Sequence, residues 1–130
     1  MQTVLANLLI AHAPLKALVD THIHWDNMPQ GLALPNIVMF AISGVTDYTM
    51  QGASGYVMTR VQFDCRGTTA AQARQVANAL KDRLSGFRGL YAGYEFQGCF
   101  EQGQRTRFDR DPPAAWYTDS RDFTIHWAKA

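Results

Sequence analysis

Cysteine is scarce in this sequence, which has only Cys65 and Cys99 among its 130 residues. Two thiols are too few for a disulfide framework, and their separation matches no zinc or redox spacing. Because free cysteine is among the most buried residue types, we expect two half-buried thiols in a protein kept in a reducing compartment.

The chain also lacks a clear excess of either charge, since twelve Lys and Arg residues stand against eleven Asp and Glu residues. A protein that holds DNA by neutralising phosphates normally carries a distinct basic excess. The formal net charge of +1 therefore argues against a DNA-gripping protein, unless the charges are segregated onto separate surfaces.

Long hydrophobic runs are absent as well. No run approaches the roughly 20 apolar residues of a membrane span, and the apolar N-terminus lacks the basic segment of a signal peptide. We expect a soluble protein, made in the cytoplasm and without a membrane partner. The composition, 47% hydrophobic and 18% charged, is that of an ordinary globular chain, and its length predicts a single domain.

Two main helices are predicted. Apolar residues recur at helical spacing from Met1 to Val19, with an interruption at Pro14, which lacks a backbone donor. A capping box at 69–72 begins the second helix, which runs to about Ser85 and ends at a glycine cap, Gly86. Its predicted buried stripe is Ala70, Ala73, Val76, Ala77, Leu80 and Leu84.

Several strands are predicted, the clearest of them at Tyr56–Arg66. Alternation places Val57, Thr59, Val61, Phe63 and Cys65 on a core face and Met58, Arg60, Gln62 and Asp64 on a polar face. Other strands are predicted at 21–25, 36–43, 90–101, 105–109 and 119–127, although a buried helix also fits 36–43. The segment 44–55 is predicted to be an extended excursion or hairpin arm, 26–35 a loop and 111–115 a turn.

The order of these elements predicts the fold class. Helix, strands, helix and strands together indicate an α+β domain with an antiparallel or mixed β-sheet and two main helices packed on one face.

One segment imitates a metal site. His22 and His24 would share a face of a strand and could bind one metal ion, and the surrounding string resembles the Asp-x-His-x-His opening of metal-dependent amidohydrolases. Those enzymes need a barrel of about 250 residues to assemble the remaining ligands. This chain has half that length and two further histidines. We therefore predict that His22 and His24 do not bind a metal ion.

A short basic run, Arg105, Arg107 and Arg110, is interleaved with Thr106, Phe108 and Asp109. It could form a strand that faces DNA or a partner. A solvated edge strand is the favoured interpretation.

Short strings along almost the whole chain match one protein family in order and spacing. They are Leu15–Val19, His24-Trp25, Pro29–Gly31, Leu34–Val38, Arg60–Cys65, Thr69–Ala73 and Arg121–Phe123. Together they resemble the phage tail-completion proteins, also called tail terminators or head–tail joining proteins, which also occur in phage-derived gene transfer agents. The resemblance implies that residues 1–130 form a single tail-terminator-like domain.

The resemblance also implies a function without catalysis. It implies a ring, commonly a hexamer, that caps the head-proximal end of a long tail and joins it to the neck. The implied partners are further copies of the chain, the major tail tube protein and a head–tail connector or stopper, with DNA only passing through the lumen. The implied location is the virion tail, after assembly in the host cytoplasm. The family has no catalytic or cofactor residues.

A head-to-tail ring needs two different surfaces on each subunit, and apolar residues in loops often anchor interfaces. The candidate interface residues are Trp25, Met28, Tyr48, Met50, Met58, Arg60, Gln62, Arg105 and Arg107. Local packing is an equal alternative for each. Alternatives for the whole protein are a stopper or adaptor, a small metal-dependent hydrolase using His22 and His24, and a small ligand-binding α+β dimer.

Overall fold

The computed structural model describes residues 2–19, 22–26, 34–49, 52–111 and 114–129. Its elements are, in chain order, α1 (Gln2–Ile10), α2 (Ala13–Val19), β1 (Ile23–Trp25), β2 (Asn36–Thr49), β3 (Gly52–Gly67), α3 (Ala70–Leu84), β4 (Gly89–Tyr91), β5 (Tyr94–Asp111) and β6 (Ala114–Lys129). Most of the predicted loop 26–35, including Met28, lies outside the described residues, as does Met50.

The described strands form one six-stranded sheet in the order β1-β2-β3-β6-β5-β4. β1 runs parallel to β2, and each of the other neighbouring pairs is antiparallel. The sheet is therefore mixed, which confirms the predicted α+β class and the predicted mixed or antiparallel sheet.

β2 and β3 explain the glycine-rich arm. β2 continues to Thr49 and β3 begins at Gly52, and these two residues pair, so the arm is the end of a hairpin. The apolar run that opens β2 is a strand and not a helix. Ile37, Val38 and Met39 are buried in succession, as expected for a strand covered on both faces.

The segment 90–109 forms strands, as predicted, but the predicted boundaries between these strands are wrong. A separate short strand, β4, ends at Tyr91, and a turn leads to β5, which continues without interruption from Tyr94 to Asp111. β5 contains bulges between Phe96 and Gly98 and between Glu101 and Gly103. A bulge adds a residue without ending the pairing, so the alternation of the sequence breaks while the strand continues.

The helix boundaries agree with the predicted signals. α1 and α2 separate before Ala13, and Pro14 lies in the first turn of α2, where its missing N–H does no harm. Gly86 follows α3 with a φ of 75°, which confirms the glycine cap.

The capping box of α3 differs from the predicted one by one residue. Thr69 Oγ1 accepts a hydrogen bond from Gln72 N at 3.0 Å, as predicted. The Gln72 side chain, however, accepts from Thr68 N at 2.7 Å and not from Thr69 N. Ala70, predicted to be buried, is exposed because it occupies the first position of the helix, whereas Ala79 is buried.

One apolar cluster joins the helices and the sheet. The register places Met39 opposite Phe63 and Val61 opposite Phe123, and residues directly opposite each other share a face. Phe63 and Phe123 meet edge to face at 5.6 Å. The strand members are Ile23, Ile37, Met39, Val61, Phe63, Cys65, Phe96, Cys99, Phe123 and Ile125; the helix members are Leu5, Leu8, Leu9, Leu15, Val19, Val76, Ala77, Ala79, Leu80 and Leu84.

Both cysteines belong to this cluster and are fully buried, not half-buried, because the register turns both side chains towards the core. They are free thiols. Burial raises the pKa of the Cys99 thiol to about 12 and raises that of Cys65 still further above its ordinary value.

Candidate assembly surfaces

Opposite the core face, the central strands carry a cluster of charged and polar side chains. β3 contributes Arg60, Gln62 and Asp64, β6 contributes Ser120 and Asp122, and β5 contributes Arg105 and Arg107. The register supports this grouping, since Gln62 pairs with Asp122, and Ser120 pairs with both Asp64 and Arg105. We call these seven residues the polar face.

Two buried aspartates organise the polar face, and the first of these two centres is Asp122. Its Oδ2 lies 3.0 Å from Arg60 Nη2 and 3.7 Å from Arg105 Nη1. The Asp122 side chain is 7% exposed, whereas those of Arg60 and Arg105 are 47% and 62% exposed. One buried carboxylate therefore holds two arginines that reach the surface from different strands.

Asp64 is the second centre. Its carboxylate accepts hydrogen bonds from Ser120 Oγ, from Gln62 Nε2 at 2.8 Å and from Arg107 Nη2 at 3.2 Å. Gln62 also accepts from Arg105 Nη2 at 3.3 Å, so the two centres are joined. The alternation in the sequence placed Asp64 on the polar side of its strand. The structure buries it, because these partners replace the water that its carboxylate would need.

On the polar face, the arginine guanidinium groups lie at the surface and the aspartate carboxylates lie buried beneath them. Three arginines and two aspartates leave a local formal charge of +1. Half-exposed ion pairs contribute little to stability, on the order of 0–1 kcal/mol each. Their main effect is to orient the guanidinium groups and to neutralise most of their charge.

A second ionic cluster, which no sequence pattern predicted, lies on the other face of the sheet, next to α3. Arg121 donates to both carboxylate oxygens of Asp119, at 2.8 and 3.2 Å, and to Asn78 Oδ1 at 3.4 Å. Glu101 Oε2 lies 3.6 Å from Arg121 Nη1 and 3.7 Å from Lys81 Nζ. The Asp119 hydrogen bonds raise the pKa of Arg121. The sequence did contain a signal for this cluster. Asp119 and Arg121 carry opposite charges two positions apart, in the alternate positions of β6 that also place Phe123 in the core.

Of the other candidate interface residues, Trp25 lies in β1 and not in a loop, and it packs partly buried against the core. Met58 is partly buried on β3, opposite Val45 and His126. The structure does not describe the Tyr48 side chain. The assignment of these residues to an interface stays a prediction.

Five large apolar side chains on four of the described strands are exposed to solvent. They are Ile42 on β2, Leu90 on β4, Phe100 and Phe108 on β5, and Tyr117 on β6. Phe108 and Tyr117 are in ring contact at 4.6 Å and border a notch of about 240 Å³ beside the first turn of α3. None of these residues was a sequence-based candidate.

The backbone of the His22–His24 segment pairs with β2. Ile37 N donates to His22 O at 2.9 Å, and His24 pairs with Val38 in the parallel β1–β2 ladder. Among the described residues, no group of three or more His, Cys, Asp or Glu side chains is placed to hold a metal ion. None of the described helices has the length and hydropathy needed to cross a membrane.

Comparisons with known proteins identify similar chains. A family model described as "Tail completion protein gp17" matches residues 3–125. A chain from a structure titled "Virion of native gene transfer agent (GTA) particle" superposes with a TM-score of 0.77 at 20% identity, covering 98% of this chain and 94% of that one. At this identity the superposition shows a shared fold. A search of curated protein sequences finds no match.

Proposed function

Because the chain belongs to the tail completion protein gp17 family, we propose that it is the tail terminator of a phage-type particle. The chain is a structural tail protein and not an enzyme. The observation that carries the proposal is the match of the family over residues 3–125, nearly the whole chain. The virion particle that contains a chain of the same fold supports the same assignment.

In this proposal, six copies form a ring at the head-proximal end of the tail tube. One side of the ring contacts the last layer of the major tail tube protein, and the other contacts the connector or stopper of the neck. The ring assembles in the host cytoplasm and remains in the virion. Its mechanism consists of binding free energy and geometry, since the ring ends the tube by occupying the surface on which the next layer would form.

The arrangement of layers in the fold supports a subunit with one face left for other molecules. We infer that α1, α2 and α3 all cover the core face of the sheet, because their buried residues share one cluster with the core-facing strand residues. None of the described helices then covers the polar face. Its local charge of +1 and its paired arginines suit a surface past which DNA slides without being held.

Electron microscopy of particles made without this chain tests the proposal. We expect DNA-filled heads without tails, together with tubes of irregular length, and normal particles when the wild-type gene is restored. An affinity tag on the restored chain should localise to the head–tail junction. Free tails of regular length beside heads that lose their DNA would instead indicate a stopper, and normal tailed particles would contradict the proposal.

A further inference from the structure

The sheet has two lateral edges without a described partner strand. β1 pairs with β2 only as far as Met39, so the segment from Phe40 to Thr49, here the β2 edge, has β3 as its one neighbour in the described part of the chain. β4 pairs with β5 only as far as Phe96, and Gly86 N then donates to Cys99 O. The following segment, 100–106, here the β5 edge, has β6 on one side alone among the described residues.

Each edge also carries an exposed large apolar side chain. Ile42, at a bulge of the β2 edge, is 52% exposed, and Phe100, at the start of the β5 edge, is 50% exposed. Of the two strands between these edges, β3 has no exposed large apolar residue among its described side chains, and β6 has Tyr117, which is less exposed than Ile42 or Phe100. A long open edge with exposed apolar residues favours pairing with another chain.

Strand direction decides how such a pairing would be built. The consecutive neighbours β2, β3, β6 and β5 are antiparallel, so β2 and β5 run in opposite directions. A second copy that continues the sheet by rotation therefore places its β2 antiparallel to the β5 of the first. The two edges differ in sequence, so their contact is head-to-tail, the type that closes into rings.

We propose that the β2 edge of one copy pairs with the β5 edge of the next, so that one continuous antiparallel sheet joins the subunits of the ring. The added strand pairs give main-chain hydrogen bonds, and Ile42 and Phe100 become buried near the junction. This inference rests on the proposed function and deepens it by naming the surfaces through which copies of the chain meet.

Cysteine cross-linking on capped tail tubes tests the pairing. Ile42→Cys places a thiol on the β2 edge, and Gln102→Cys places one at the exposed bulge of the β5 edge. The native thiols Cys65 and Cys99 are buried and leave little background. Gln75→Cys, on the exposed side of α3, supplies the matched control. A flexible bismaleimide joins nearby thiols without requiring an exact register.

With both edge cysteines in one chain, we expect a ladder of products that ends at the ring. An equal mixture of the two single variants should give cross-linked dimers and no larger product, because each subunit then carries only one accessible cysteine. Efficient cross-linking of Ile42→Cys alone would show a symmetric contact and overturn the proposal. So would an equal ladder from the Ile42→Cys, Gln75→Cys double variant.

Tube capping is measured in the same samples by electron microscopy. Capped tubes without any Ile42–Gln102 cross-link would overturn the edge pairing and leave the tail-terminator assignment intact. Cross-linked rings that never bind tubes would support the edge pairing and count against the assignment.

Discussion

Asp64 lies beneath Arg107: its carboxylate Oδ2 is 3.2 Å from Arg107 Nη2, and the two side chains are 3% and 47% exposed. The carboxylate is thus removed from water while its cation remains at the surface. A carboxylate in this position depends on its partners, whereas a half-exposed arginine can be solvated by water. Removing the anion or the cation from such a pair should therefore have unequal effects.

Asp64→Ala should lower the free energy of unfolding by roughly 2–3 kcal/mol, because Ser120 and Gln62 lose a charged acceptor and Arg107 loses its counter-ion. Urea unfolding followed by circular dichroism measures the change. The matched control is Arg107→Ala, the other member of the pair, where we expect a loss of about 0–1 kcal/mol, because Ser120 and Gln62 still donate to the Asp64 carboxylate. Equal losses of unfolding free energy in the two variants would contradict this prediction.

Arg121→Ala should be more damaging, with a loss of about 3–5 kcal/mol in the free energy of unfolding, because it leaves Asp119 buried without its counter-ion. Lys81→Ala removes a half-exposed cation from the same cluster and should lose less than about 1 kcal/mol. Chemical denaturation of both variants checks the order. A Lys81 variant as unstable as the Arg121 variant would refute the assignment of the buried pair as the critical contact.

The Cys99 thiol gives a pH-dependent prediction. Its pKa is raised by burial from 9.0 to about 12, so between these values the unfolded chain loses a proton that the folded chain keeps. The thiol's contribution to stability is therefore fully present below pH 9 and declines as the pH rises towards 12, by up to about 1.4 kcal/mol per pH unit.

Cys99→Ala should remove this contribution, so its stability should fall less steeply with pH than that of the wild type. The difference in slope between pH 9 and pH 11, from urea unfolding, is the measurement, because other groups titrate equally in both proteins. Parallel slopes would show that the thiol does not titrate as predicted.

Asp122→Asn tests the near-neutral polar face. The substitution keeps the size of the side chain and raises the local formal charge from +1 to +2, since Arg60 and Arg105 lose their shared anion. We expect tighter binding to a labelled DNA duplex and a salt dependence steeper by about one unit in log–log slope. Asp82→Asn, on the exposed side of α3, makes the same change in net charge and should have little effect. An equal response of both variants would argue that only net charge matters.

Local patterns predicted much of this fold. The strand alternation around Val61 and Phe63 and the cap of α3 at Thr69 depend on residues within a few positions, and the structure confirms both. The division of β5 was wrong because a bulge at Glu101/Gly103 disrupts alternation in the same way as a loop does.

The polar face was predicted only in part, because its contacts are distant in sequence. Arg60 and Gln62 were identified from one strand, and Arg105 and Arg107 from a basic run. Asp64, however, meets Ser120 across 56 positions and Arg107 across 43. Only the strand order β3-β6-β5 brings these residues together, and no periodicity within one segment contains that order.

The bulges of β2 and β5 have a consequence for the number of subunits in the proposed ring. β2 is irregular at Ala41/Ser43 and at Thr46/Tyr48, and β5 at Phe96/Gly98 and at Glu101/Gly103. Bulges bend a strand and increase its local twist. In a ring built as one sheet, the angle between neighbouring subunits follows from that curvature, so the backbone sets how many copies complete a circle. Deleting the extra residue of a bulge would therefore alter the diameter of the ring, whereas a side-chain substitution at the junction would alter only its strength.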